Sequence, residues 1–128
     1  MTEETKKLFN APWSDASYVV EDMSYFDIND AHGQCMCSVH TQYFTSEKKP
    51  GIGEDAAEKT MNRILRLPEL YDALASVMYE GCNNCLTAHR SDIDPTFDFF
   101  MDHGCPLDHG DCPLGKHWTT LRKVREGK

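Results

Sequence analysis

Apolar positions along this chain first alternate and later recur at helical spacing. From Ser17 the order is strand-like: Tyr18, Val19 and Val20 lead into Tyr25-Phe26-Asp27-Ile28, where Phe26 and Ile28 alternate with polar partners. Asp30-Ala31-His32-Gly33 has turn chemistry, with Gly33 free to adopt positive φ. Cys35, Cys37 and Val39 then alternate with Gln34, Met36 and Ser38 ahead of Tyr43-Phe44. The pattern predicts two or three short antiparallel strands with one face buried, and it places both thiols of Cys35-Met36-Cys37 on one face as core packing. Residues 1–12 read as a loose arm, with Pro12-Trp13 as an anchor onto the core.

Residues 45–53 are expected to form a polar loop, and a helix is expected to start near Glu54 or Asp55, whose charge suits a first turn. Ala57, Met61, Ile64 and Leu65 follow a 3.6-residue period. Pro68 restarts or kinks the helix, because proline fits a first turn and not an interior. Leu67, Leu70, Tyr71, Leu74, Val77 and Met78 make a second apolar stripe, and Gly81 suits the position after a helix end. Asp94-Pro95 is expected to cap a short helix carrying Phe97, Phe100 and Met101 and closing at Gly104. Cys112-Pro113 opens a last helix with Leu114, Trp118 and Leu121 on one face and His117 on the exposed side.

Cysteine spacing adds chemistry to the polar C-terminal third. Cys82-Asn83-Asn84-Cys85 is a two-cysteine hook placed just past the expected helix end, and Cys105, His109 and Cys112 follow. Such a hook with a second Cys/His cluster can close a tetrahedral Zn2+ site. Cys112 opens a helix, whose N-terminal dipole favours an anionic ligand. The fourth ligand is Cys105, which is softer, or His109, which gives a two-residue gap to Cys112. The plainer alternative is buried or free thiols without metal. A redox role for the hook is weaker, because no βαβ pattern precedes Cys82.

Composition narrows the function classes. The chain has 128 residues with 40 % apolar side chains, enough for one modest core. No run approaches the roughly 20 apolar residues that span a bilayer. The first residues lack the apolar stretch of a secretory signal, so a cytoplasmic protein is expected. In that compartment six cysteines argue for metal or free thiols over disulfides. Residues 1–112 carry 8 Lys/Arg against 20 Asp/Glu, a net −12, while residues 113–128 carry 5 against 1, a net +4. An acidic body disfavours nucleic acid and anionic membranes and suits a partner with a basic surface.

The run from Asn62 to Leu74, Asn-Arg-Ile-Leu-Arg-Leu-Pro-Glu-Leu-Tyr-Asp-Ala-Leu, resembles a helix pair found in small accessory proteins of tailed bacteriophages and prophages. Asp30-Ala31-His32-Gly33 is similar to their hairpin turn, and Cys82–Cys85 with His109-Gly110-Asp111-Cys112-Pro113-Leu114 is similar to the tail some of them carry. Met61 and Leu67 stand where those proteins usually have alanine, and the His109–Cys112 gap is one residue shorter. The resemblance implies a phage origin and the cytoplasm of a bacterial host, favours His109 as the fourth ligand, and implies no activity, since these proteins are of unknown function.

The expectation is an α+β fold, with a short antiparallel β-hairpin or three-stranded sheet on a kinked helix pair, then a zinc-stapled loop and an amphipathic helix. Residues 1–80 are expected to hold the sheet and helix-pair core with its loose arm. Residues 81–128 are expected to hold the structural Zn2+ and the last helix, unless the whole forms one continuous domain. Phosphate-binding, dinucleotide and nucleophile-elbow motifs are missing, and the deaminase pattern is absent. The function expected is therefore non-enzymatic binding, as an acidic inhibitor of a host defence or nucleic-acid-processing protein. The alternative is a nucleic-acid-binding zinc module using the basic C-terminal helix. A lesser one is a small zinc-dependent hydrolase using Asp102-His103 or Asp108-His109. The open edges of so small a sheet also allow a homodimer.

Overall fold

A computed structural model describes residues 1–21, 23–40, 53–90, 92, 94–107, 112 and 114–128. Among these residues it is an α+β structure of five helices and one three-stranded antiparallel sheet. The order is α1 (Glu3–Phe9), β1 (Ser14–Val20), β2 (Met23–Asn29), β3 (Cys35–His40), α2 (Gly53–Leu65), α3 (Leu67–His89), α4 (Phe97–His103) and α5 (Leu114–Glu126). The chain divides into two compact units, Met1–Leu70 and Tyr71–Lys128.

In the first unit the sheet order is β1-β2-β3 and α2 packs across it. Phe26, Ile28 and Val39 of the sheet meet Ala57 and Met61 of α2, with Trp13, Ile64 and Leu65 at the margin. The alternation of β2 and the helical period of α2 account for this core. The expected loose arm is instead a helix. Thr2 caps it, its hydroxyl accepting from Thr5 N at 3.2 Å, and Glu3 and Glu4 occupy the first turn. Trp13 anchors the segment as expected, donating Nε1–H to Phe9 O at 2.6 Å and meeting the Phe9 ring edge-on.

The turn at Asp30–Gly33 forms as its chemistry requires, with Gly33 at φ 80°. Asp30 is buried, and its Oδ1 accepts from His32 N at 2.8 Å and Gln34 N at 3.0 Å. An Asp30→Ala variant should lose about 1–2 kcal/mol of local stability, because two backbone donors lose their acceptor. Hydrogen exchange of β2 and β3 amides should accelerate by about tenfold. Unchanged protection would show that the clamp is dispensable.

The expected core packing of Cys35 and Cys37 does not form, and both are exposed. A register shift pairs Cys37 with Ile28 but Cys35 with Asn29, whose side chains point to opposite faces. Met36 is the extra residue of this bulge, and the even alternation assumed for β3 breaks there. Cys35 Sγ instead lies 3.9 Å from Ser38 Oγ.

Pro68 restarts the helix as expected. The α2 ladder ends at Leu65, Arg66 is a turn residue, and buried Pro68 sits in the first turn of α3. Gly81 does not end α3, which continues for two more turns to His89. Ala75 and Met78 extend through Cys82 and Leu86 as one buried stripe. Burying those side chains outweighs the roughly 1 kcal/mol that glycine costs inside a helix. The predicted apolar stripe is correspondingly split. Met78 is buried and Tyr71 half-buried, whereas Leu67, Leu70, Leu74 and Val77 face outward.

The second unit is built around Trp118. Its indole stacks on Phe100 at 5.0 Å and 9° and meets Phe97 edge-on at 5.8 Å. Met78, Cys82, Leu86, Met101 and Leu121 close around this pair. The helix carrying Phe100 and closing at Gly104 forms, but Thr96 caps it in place of Asp94, accepting from Phe99 N at 3.2 Å. On α5 Trp118 and Leu121 point inward and His117 outward, as expected, while Leu114 lies exposed.

Candidate functional site

Cys82 lies at the centre of the cysteine constellation. α3 turns it into the core, where it is 5 % exposed, and Trp118 Nε1–H donates to its Sγ at 3.3 Å. Burial pushes its thiol above the ordinary value of 9.0, and the Trp118 N–H opposes the rise. Cys105, Cys112 and Cys85 add to the rise as neighbouring negative charges. These three therefore lie within electrostatic reach of Cys82, although Cys105 and Cys112 are 23 and 30 residues away in sequence.

Each thiol is positioned by a helix. Cys82 and Cys85 are three residues apart on α3, so the hook is helical and not the knuckle past a helix end that the spacing suggested. Residues three apart on a helix are neighbours on its surface, but here Cys82 turns into the core and Cys85 outward. Cys85 is exposed, and His89 one turn on places Nδ1 4.0 Å from its Sγ and 2.9 Å from its carbonyl oxygen. Cys105 follows the Gly104 cap of α4, and Cys112 sits at the head of α5, its carbonyl accepting from Gly115 N at 3.3 Å. Both are half-buried, and all four are free thiols. His109 lies outside the described residues. Among the described residues no three His, Cys, Asp or Glu side chains form a ready-made ligand set.

Trp118 is the neighbour of the hook that spacing could not single out, because the indole is 36 residues from Cys82. His89, four residues after Cys85, is a weaker ligand candidate by spacing, and it does lie beside that thiol.

The two arginines of the basic C-terminal helix are committed inside its own unit. Arg125 bridges Asp98 at 3.4 Å and Asp102 at 2.9 Å, two acids one turn apart on α4. Arg122 Nε donates to Met101 O. Asp102 thereby answers an arginine, and His103 lies against the Phe99 ring at 5.2 Å. Asp108 lies outside the described residues.

In the first unit, a shallow cleft of about 250 Å³ is lined by Ser17, Tyr18, Val19, Ser24, Phe26 and Glu58. It offers one carboxylate, Glu58, on a mostly polar lining that includes Val19 and Phe26. Among the described residues no helix is long and apolar enough to cross a membrane. No protein-family model, curated protein or solved structure matches the chain.

Proposed function

We propose that this chain is a non-enzymatic, phage-type accessory protein that binds a basic surface on a host protein in the bacterial cytoplasm. On this reading it occludes a defence or nucleic-acid-processing partner. The observation that carries the reading is the internal use of the two α5 arginines beside an acidic excess elsewhere. Arg125 and Arg122 are spent on α4, while the acids of residues 1–112 outnumber the bases by 12. Among the described residues Glu4, Asp15, Glu21, Glu58, Glu80 and Asp94 are exposed carboxylates outside any ion pair. A lysine or arginine of the partner would suit the cleft, its stem against Val19 and Phe26 and its charge on Glu58. The nucleic-acid alternative needs the α5 arginines free for phosphate, and their internal partners weigh against it.

A structural Zn2+ belongs to the same proposal. Cys82, Cys85 and Cys112 with Cys105 or His109 supply the donor set. The Trp118 N–H on Cys82 Sγ is the outer-shell hydrogen bond a bound thiolate uses. Zinc would staple α3, α4 and α5 and take no part in chemistry.

Affinity capture from bacterial lysate, with the captured protein identified, tests the binding reading. The same basic protein should be recovered reproducibly at low salt and be lost near 0.5 M salt, where the Debye length is only about 4 Å. Glu58→Lys together with Asp15→Lys should weaken capture of that protein by about tenfold or more. Reproducible recovery of nothing, or capture indifferent to both salt and charge reversal, would dismiss the proposal.

A further inference from the structure

Leu67, Leu70, Leu74 and Val77 are 48 %, 60 %, 41 % and 69 % exposed. They succeed one another at intervals of three, four and three residues, the spacing of a coiled-coil seam. Single exposed leucines are ordinary, but a continuous apolar row on one helix marks an interaction surface. A neighbouring face of α3, about 100° round the helix, already supplies Ala75, Met78, Cys82 and Leu86 to its own core, so the row is a second face.

Charge and spacing identify what covers it. The row is self-complementary when two copies run antiparallel. Leu67 then meets Val77 of the partner subunit, and Leu70 meets Leu74 of the partner subunit. In the same alignment Arg66 falls beside Glu80 of the partner subunit at both ends, related by the two-fold axis. Ala73, small and exposed, lies at the axis and allows close approach. A parallel alignment leaves Arg66 level with its own counterpart and gives neither charge an opposite neighbour at the seam. Among the described residues Arg66, the turn residue that leads into α3, forms an ion pair with Glu69 of that helix, an exposed pair at 3.1 Å that holds the guanidinium weakly. Among the described residues Glu80 enters no ion pair.

We propose that the protein forms a two-fold homodimer in which α3 packs antiparallel on α3 of a second copy, through Leu67, Leu70, Leu74 and Val77, flanked by two Arg66–Glu80 bridges. The interface uses neither the thiol cluster nor the Glu58 cleft, so it stands apart from the binding and zinc readings.

Sedimentation equilibrium of the full chain, with reductant present to keep the six cysteines free, tests it. The wild-type chain should show a concentration-dependent monomer–dimer equilibrium. Leu70→Asp and Leu74→Asp should each raise the dimer dissociation constant by about 100-fold. Their circular dichroism should be unchanged, because the positions are exposed in the monomer. Arg66→Glu and Glu80→Arg should each weaken the dimer by about tenfold. An equimolar mixture of these two variants should recover it, since every end then pairs opposite charges. A chain that stays monomeric at its highest soluble concentration would overturn the proposal. So would a dimer indifferent to both aspartate variants, or a mixture no tighter than either charge variant alone.

Discussion

Replacing Trp118 with alanine should destabilise residues 71–128 by about 3–5 kcal/mol, the range for removing a large buried aromatic. The indole is fully buried, stacked on Phe100 and edge-on to Phe97. Alanine would leave a cavity at the meeting point of α3, α4 and α5, whose inward residues all belong to one cluster with it. It would also strip Cys82 of its N–H donor. A Trp118→Phe variant separates the two effects. It keeps most of the apolar volume and loses only the hydrogen bond and the second ring, so it should cost about 1–2 kcal/mol. Urea unfolding followed by far-ultraviolet circular dichroism measures both. A loss below about 1 kcal/mol for Trp118→Ala would mean that the unit does not depend on this ring.

Stripping zinc from the protein should have the larger effect under the proposal that the thiol cluster is a structural site. The purified chain should carry one Zn2+ by native mass spectrometry and elemental analysis. A strong chelator should then unfold α4 and α5, lowering the melting temperature of residues 71–128 by about 10 °C or more and leaving the sheet unit folded. The pH dependence gives an independent check of sign. Without metal, the Cys82 thiol is raised above 9.0 chiefly by burial. Its contribution is then fully present below 9.0 and declines as pH rises through the folded value. With metal, the ligands must lose their protons to bind, so stability should rise with pH from about 5 to 8. A profile that rises in the zinc-loaded protein and becomes flat after chelation identifies the metal as its cause. Cys105→Ser and His109→Ala decide the fourth ligand, because only one should release zinc. Six free thiols and no metal would eliminate the staple and leave the cysteines to packing.

Local signals account for much of the fold. The β2 alternation, the Asp30–Gly33 turn, Pro68 at a helix start and the Phe100 and Trp118 helices each depend on residues within one or two turns of chain. Backbone sterics, side chain–backbone hydrogen bonds and a single apolar period decide such features, and all three are written in neighbouring positions. The bulge at Met36 is different. Its signature is a mismatch between two strands, and the β3 sequence alone reads as even alternation.

α3 separates the two kinds of information. Its sequence determined that residues from Leu67 onward are helical and rich in apolar positions. It did not determine which of two apolar faces is buried. Leu67, Leu70, Leu74 and Val77 have the better local pattern, yet Tyr71, Ala75, Met78, Cys82 and Leu86 form the core face. That choice depends on where Phe100 and Trp118 arrive, which is a matter of tertiary packing. The same packing carries α3 through Gly81 and makes the cysteine hook helical.

Charge and cysteine count are legible in the sequence, and with them the acidic excess and the chance of a metal. Which thiols lie near one another was not. Cys105 and Cys112 come within reach of Cys82 because α4 and α5 dock on one core, and Arg125 finds Asp98 and Asp102 for the same reason. Sequence by itself determined the local elements and the inventory of chemical groups. The tertiary structure decided which helix faces are buried and which distant groups meet, because both follow from burial of apolar area between elements far apart in the chain.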